Sequence, residues 1–143
     1  MSFRQSFTVR SYELDSLGHL NNAVYFSWLE EATFAHLGEQ GLPFREFAGR
    51  GWYPIVVHAE LDFRKEASSG ERIRVEGWPI SYGSTSMRLG YRLLREADDV
   101  LIAEGQRVWV FVDQKTGKIP VPVEIREVLG PELGPESRTS LDS

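Results

Sequence analysis

Residues 12–32 read YELDSLGHLNNAVYFSWLEEA, and the pattern changes halfway along. From Asn22 onward, Tyr25, Trp28, Leu29, Ala32 and Ala35 recur at i, i+3, i+4, i+7 and i+10. That spacing puts them on one face of a helix. The segment predicts a helix over 22–37, apolar on one side and therefore buried. Asn21 or Asn22 suits the N-cap, where a side-chain oxygen accepts from a free backbone N–H. Gly38 and Gly41 are expected to end it. Ahead of the helix lies a short loop with an acid, a histidine and two amides.

On either side the period becomes two. Residues 3–10, FRQSFTVR, alternate apolar and polar positions. In 53–63, Ile55, Val57, Ala59, Leu61 and Phe63 are expected on one face and Val56, His58, Glu60 and Asp62 on the other. Further strands are predicted around Ile73 and Val75, from Met87 to Leu93, and from Leu101 to Val112. ASSGER, SYGSTS, EADD and DQKTGK read as turns. Short turns imply antiparallel neighbours, and one long helix beside such strands predicts an α+β domain whose sheet wraps the helix. LPFREFAG suits a short extra helical turn, and IPVPVEIREVL a last short helix with Pro122 near its start. The tail from 130 to 143 is rich in Pro, Gly and Ser and is expected to be disordered. The last long strand is apolar on both faces around 108–112, and one helix cannot cover both sides of a sheet. A second copy of the chain is the simplest cover, so a homodimer or homotetramer is expected.

The chain has 143 residues, a length that suits one domain over 1–129, and a formal net charge of -5. That balance argues against a nucleic-acid binder. There is no cysteine, which excludes thiolate nucleophiles and disulfides. No apolar run approaches membrane-spanning length. The first fifteen residues carry no signal-like apolar region, which predicts a cytoplasmic protein. Histidines at 19, 36 and 58 lack compact ligand spacing, so neither a metal nor another cofactor is expected.

Asp15 has two readings. The plain one is a loop aspartate making an Asx-turn. The chemical one follows from the helix start seven residues later. The N-terminus of a buried helix offers unpaired N–H groups and partial positive charge, which can polarise a carbonyl oxygen. A carboxylate near that point can attack the carbonyl carbon or deprotonate a water that does so. In that reading the N–H near Asn22 is the oxyanion donor, and the side chains around it fix the loop. His19 either serves as a base or simply pairs with Asp15 or a backbone carbonyl. Tyr25 and Trp28 suit the core. Glu30, if turned inward, would order the Asp15 loop. His58 suits a surface or an interface. Gly83-Ser84-Thr85-Ser86 is a turn or a hydroxyl contact to a ligand. Arg64, Lys65, Arg88 and Arg92 are ordinary strand charges, some of them able to pair with a nucleotide phosphate.

Taken together, Asp15, Gly18, His19, Asn21, Asn22, Tyr25 and Glu30 in D-x-x-G-H-x-N-N-x-x-Y-x-x-x-x-E closely resemble the signature of hotdog-fold acyl thioesterases. The likeness is to the 4-hydroxybenzoyl-CoA thioesterase-like branch, with bacterial acyl-CoA and plant acyl-carrier-protein thioesterases as relatives. The resemblance implies an antiparallel five-stranded sheet around a long central helix, and active sites at a dimer interface. It implies hydrolysis of acyl-CoA, with acyl carrier protein as another possible carrier, and it gives no role to nucleic acid or membrane. Asp15 matches the catalytic acid and Asn22 the amide that polarises the thioester. Gly18, His19, Asn21, Tyr25, His58, Ser84 and Ser86 are expected to contact substrate, and Glu30 to support the loop. Family members carry Arg after E-x-A, whereas Thr33 stands there in this chain. Two rivals are a non-catalytic acyl-thioester-binding module and a hotdog-fold hydroxyacyl dehydratase. The dehydratase is disfavoured because His19 and Asp15 share one loop.

Overall fold

A computed structural model describes residues 3–134. In chain order the elements are β1 (Phe3–Thr8), α1 (Asn22–Glu39), β2 (Tyr53–Phe63), β3 (Arg72–Tyr82), β4 (Ser86–Arg95), β5 (Val100–Asp113), β6 (Gly117–Ile119) and α2 (Val123–Leu129). Three 3-10 turns fall at Ser11–Glu13, Phe44–Glu46 and Ala48–Arg50, two of them in the segment expected to add a helical turn. The sheet is antiparallel in the order β1-β3-β4-β5-β2, with β6 paired to β5. The short sixth strand adds to the expected five. Its three residues follow a turn closed by the Asp113 carboxylate, which accepts from the Lys115 and Thr116 N–H groups, and so short a run has no readable period.

The sheet curls around α1, which buries Tyr25, Trp28, Leu29, Ala32, Thr33 and Leu37. Against them lie Ile73 and Val75 of β3, Leu89, Tyr91 and Leu93 of β4, and Trp109 and Phe111 of β5, all nearly inaccessible. Helix α1 runs through Gly38, where a stop was expected, and ends at Glu39 with Gln40 as its C-cap; Gly41 follows at φ +89. Ala35 is only half-buried, and Thr33 takes the interior place instead. Periodicity counted only apolar residues and so passed over a hydroxyl that bonds inside the core.

The expected face assignment of β2 holds from Ala59 to Phe63 and fails before it. A bulge separates Val56, opposite Trp109, from His58, opposite Val108. Val57 is the extra residue, so Val56 joins Ala59 on the helix side while Ile55 joins His58 on the outer side. Two adjacent valines give a pattern no means of marking that slip. Between β2 and β5 the backbones approach closely at Gly105, where a side-chain carbon would run into the Glu60 carbonyl.

Helix α2, with Pro122 at its N-cap, closes one end of the core through Ile125 and Leu129. The first residues of the expected tail are tied down. Tyr82 Oη donates to the Gly130 carbonyl at 2.7 Å, the Leu133 N–H donates to the Pro79 carbonyl at 2.8 Å, and Trp78 Nε1 donates to the Gly134 carbonyl at 2.9 Å. The expectation of disorder is therefore corrected for 130–134. Composition hid these bonds because backbone carbonyls supply the acceptors. Residues 135–143 of that tail lie outside the described residues.

Candidate active site

The loop before α1 is a miniature hairpin. Leu14 bridges Leu20, the Asp15 N–H donates to the His19 carbonyl at 2.7 Å, and the Asn21 N–H donates to the Glu13 carbonyl at 2.9 Å. The Gly18 N–H closes the turn onto the Asp15 carbonyl at 3.1 Å. Gly18 sits at φ +81, a left-handed conformation that glycine adopts without a steric penalty. A bridge from His19 to Ser68 and a bond from the Leu20 N–H to the Ala67 carbonyl (2.8 Å) dock the hairpin on the following segment.

Within this turn Asp15 Oδ1 accepts from the Leu17 N–H at 2.9 Å and the His19 N–H at 3.1 Å. The plain reading of Asp15 as an Asx-turn residue is thus built into the fold. The chemical reading needs only the other oxygen, Oδ2, which has no partner among the described residues. The His19 amide, then the Leu17 amide and the nearby His19 ring, hold the carboxyl below its ordinary value. Asp15 is exposed and ionised at neutral pH.

At the end of the hairpin the Asn21 side chain caps α1 by accepting from the Ala23 N–H at 2.9 Å, and the Asn21 carbonyl accepts from the Val24 N–H at 3.0 Å. The Asn22 N–H, between them, has no acceptor among the described residues. The capping leaves one amide at the positive end of the helix. Asp15 faces His19, and Asn22 lies three residues further along the ribbon, roughly 10 Å at strand rise.

The other candidate residues are placed less as expected. His19 Nε2 pairs with Glu66 at 3.1 Å, and not with the Asp15 carboxylate, which already takes the His19 amide. Tyr25 is not at a substrate surface of the single chain. It is 2% exposed, its ring meets Phe63 edge-on at 5.0 Å, and burial first, then Glu71 and Glu66, push its hydroxyl up to about 12. Glu30 does not order the Asp15 loop. It stands two helical turns beyond Asn22, half-exposed, with Arg107 Nη1 at 3.5 Å. His58 is exposed on β2 and contacts Glu60 at 3.3 Å. Ser84 is exposed in the β3–β4 turn, which the Gly83 N–H closes onto the Ser86 carbonyl at 2.8 Å. None of His58, Ser84 and Ser86 bonds to the Asp15 loop. Arg92 is no surface cation: it is buried and paired with Glu76.

Arg107 was missed. It sits on the helix side of β5, 3% exposed, opposite Ala59 and Leu89. Its Nη2 donates to Tyr91 Oη at 3.3 Å; that hydroxyl and Thr33 Oγ1 are 2.7 Å apart, and Thr33 donates to the Leu29 carbonyl at 2.8 Å. With the Thr33 proton committed to Leu29, Tyr91 donates to Thr33, and the chain of bonds runs in one direction from guanidinium to helix. The helix lacks an arginine at 33, and the sheet supplies one from below. An arginine in the inward register of β5, between Gly105 and Trp109, was the available signal. Arg107 Nε and Trp109 Nε1 are both buried without a partner among the described residues, a condition that costs roughly 1–3 kcal/mol per group.

Comparison with known proteins gives the family and the fold. The model of the thioesterase-like superfamily matches residues 9–129. The chain is 24% identical over 138 residues to the chloroplast acyl-[acyl-carrier-protein] hydrolase FATB2 of Cuphea viscosissima, covering 92% of this chain and 34% of that protein. It therefore spans about a third of the length of that relative. It is 28% identical over 122 residues to the long-chain acyl-CoA thioesterase FadM of Escherichia coli, covering 85% of this chain and 92% of that one. A solved 1,4-dihydroxy-2-naphthoyl-CoA thioesterase from Synechocystis superposes with a TM-score of 0.84 at 20% identity, over 90% of this chain and 96% of the other. That likeness is one of fold.

Proposed function

The chain belongs to the thioesterase-like superfamily, and from that premise we propose that it hydrolyses acyl-CoA thioesters to a free acid and CoA. One observation carries the reading: a single exposed hairpin presents an ionised carboxylate with one oxygen unpartnered, and an unpartnered amide at the N-terminus of α1. In this mechanism the Asn22 N–H binds the thioester oxygen and stabilises the charge that develops there. Asp15 either adds to the carbonyl carbon, expelling the CoA thiolate to leave a mixed anhydride that water cleaves, or takes a proton from the water that attacks. CoA is favoured over a carrier protein because the relative of matching length acts on acyl-CoA, as its name states.

A second copy completes the site in this reading. Strand β2 is an edge of the main sheet. It exposes Ile55, Val57 and Phe63, each more than two-fifths accessible, a liability that pairing removes. Antiparallel pairing of β2 with its own copy extends the sheet. The Pro54 end of one copy then meets the Phe63 end of the other, beside Tyr25 and the Asp15 hairpin. The exposed position of Asp15 in a single chain becomes the wall of a cleft.

The experiment is thiol release from a panel of short, long and aromatic acyl-CoAs by wild type and by Asp15→Asn. Turnover by wild type alone supports the enzyme and its mechanism. Absence of thiol release from every substrate leaves the non-catalytic acyl-binding module as the better account, and equal turnover by Asp15→Asn removes the mechanism while keeping the activity.

A further inference from the structure

The Asp15 hairpin rests on the segment between β2 and β3, and that segment carries a carboxylate the mechanism does not use. Residues 68–71 form a turn. The Glu71 N–H donates to the Ser68 carbonyl at 3.1 Å, and the Ser68 N–H donates back to Glu71 Oε1 at 2.6 Å. Glu71 therefore closes its own turn with backbone and side chain together. The turn is pinned to the chain just after β1: the Gly70 N–H donates to the Val9 carbonyl and the Val9 N–H to the Glu71 carbonyl, each at 2.9 Å. Against this support the hairpin docks through the His19–Ser68 bridge and the Leu20 N–H bond to the Ala67 carbonyl.

The second oxygen of Glu71 faces the sheet. Oε2 stands 2.8 Å from Arg95 Nε at the end of β4. Arg95 Nε makes no hydrogen bond of good geometry, so the contact is an ion pair. One carboxylate thus ties β4 to the backbone of Ser68. Ser68 pairs with His19, and His19 holds Asp15 twice, its carbonyl accepting the Asp15 N–H and its own N–H donating to Oδ1. Glu71 also stands near the first turn of α1, where its charge adds to the burial that pushes the Tyr25 hydroxyl up. Hairpin and helix start are the two parts whose separation matters to the chemistry. Glu66, the other acid of the segment, is a poorer anchor. It is 70% exposed and pairs with the His19 ring alone, whereas the Glu71 side chain is 28% exposed.

We propose that Glu71 is a positioning residue for the acid and amide of the site: its carboxylate holds the turn on which the Asp15 hairpin rests, and so sets where Asp15 stands relative to the Asn22 N–H. This rests on the thioesterase reading for its effect on rate, and on the bonds alone for its effect on hairpin geometry.

The test measures kcat and KM for thiol release by Glu71→Ala, Glu71→Gln and Thr33→Val on the acyl-CoA that wild type cleaves fastest. Alanine at this half-exposed position leaves the backbone bonds to Ser68 and Val9 in place, so the fold is kept. Glu71→Ala is expected to lower kcat roughly ten- to hundredfold, with KM changed by no more than about threefold. Glutamine keeps an oxygen for the Ser68 N–H and should recover most of that loss. Thr33→Val weakens the interior without touching the hairpin and is the control for a purely structural effect. A fall in kcat no larger than that of Thr33→Val, a change confined to KM, or a glutamine variant as slow as alanine overturns the proposal. If wild type releases no thiol from any acyl-CoA, the thioesterase reading fails, and amide hydrogen exchange decides the positioning by itself. The Asp15 and Leu20 amides should then exchange about tenfold faster in Glu71→Ala than in wild type, with those of Trp28 and Leu29 unchanged. Equal Asp15 and Leu20 rates in the two proteins refute it.

Discussion

The hairpin at 13–22 and the interior under α1 hold their polar groups in opposite ways. In the hairpin, every bond that orients Asp15 comes from within five residues of it, and the carboxylate stays exposed. Under the helix, Arg107, Tyr91 and Thr33 come from three separate elements and meet in a space that excludes water, with Glu30 at its exposed rim. The first region orients Asp15 through bonds from its own turn and is docked at Ala67 and Ser68. The second fixes the helix to the sheet and depends on packing throughout. Changes in the hairpin should therefore be read in rate, and changes in the interior in stability.

The sharpest division of the two comes from Asp15→Asn. Asparagine keeps an oxygen to accept the Leu17 and His19 amides but loses the charge. Thiol release should fall by about 100-fold or more, while the thermal midpoint moves by no more than a few degrees. A midpoint shift as large as that of a core mutant would erase the distinction. On the interior side, Gly105→Ala drives a methyl group into the Glu60 backbone. Backbone cannot rotate aside as a side chain can, so urea denaturation should report a loss of roughly 3 kcal/mol or more. Thr33→Val removes the acceptor of the Tyr91 hydroxyl at constant volume. It should cost about 1–3 kcal/mol for the stranded buried group, with little change in catalytic rate once folded. Gly18→Ala imposes a side chain at φ +81 and should lower stability by about 1 kcal/mol. It tests whether hairpin geometry matters to rate more than to fold.

The smallest effect is one of pH. The folded carboxyl of Asp15 lies below its unfolded value of 3.8. Its bonds therefore add stability that is fully present above that value and lost as the pH falls through the lower folded one. For the free enzyme, kcat/KM should keep a level profile on the acid side down to about pH 4 wherever the protein stays folded. An acid limb well above pH 4 would argue against Asp15 as the acting group.

How much could be read before folding differs between the two regions in the same way. The loop, a cap at Asn21 or Asn22 and the helix start near Asn22 are sequence-local, so spacing located them, whereas the hairpin pairing inside the loop leaves no periodic mark. His19 was paired wrongly because Glu66 approaches from a distant segment. Glu30 was assigned to the wrong neighbour because Arg107 arrives from β5. In β2 the bulge after Val56 inverted the faces of the residues before it, since Val56 and Val57 are equally apolar and strand period carries no mark of an inserted residue.

The sequence by itself determined the antiparallel α+β layout, the apolar face of α1 and the acid-to-amide interval from Asp15 to Asn22. Each follows from forces acting within a few residues: steric limits on backbone angles, capping, and the alternation of burial. Only the tertiary structure decided that the Arg107 guanidinium lies beneath the helix at Thr33, that Glu66 meets His19, and that Val56 and not Val57 faces the helix. Those outcomes depend on which distant residues meet. In the dehydrated space under the helix an unmatched hydrogen bond costs more than any local preference supplies.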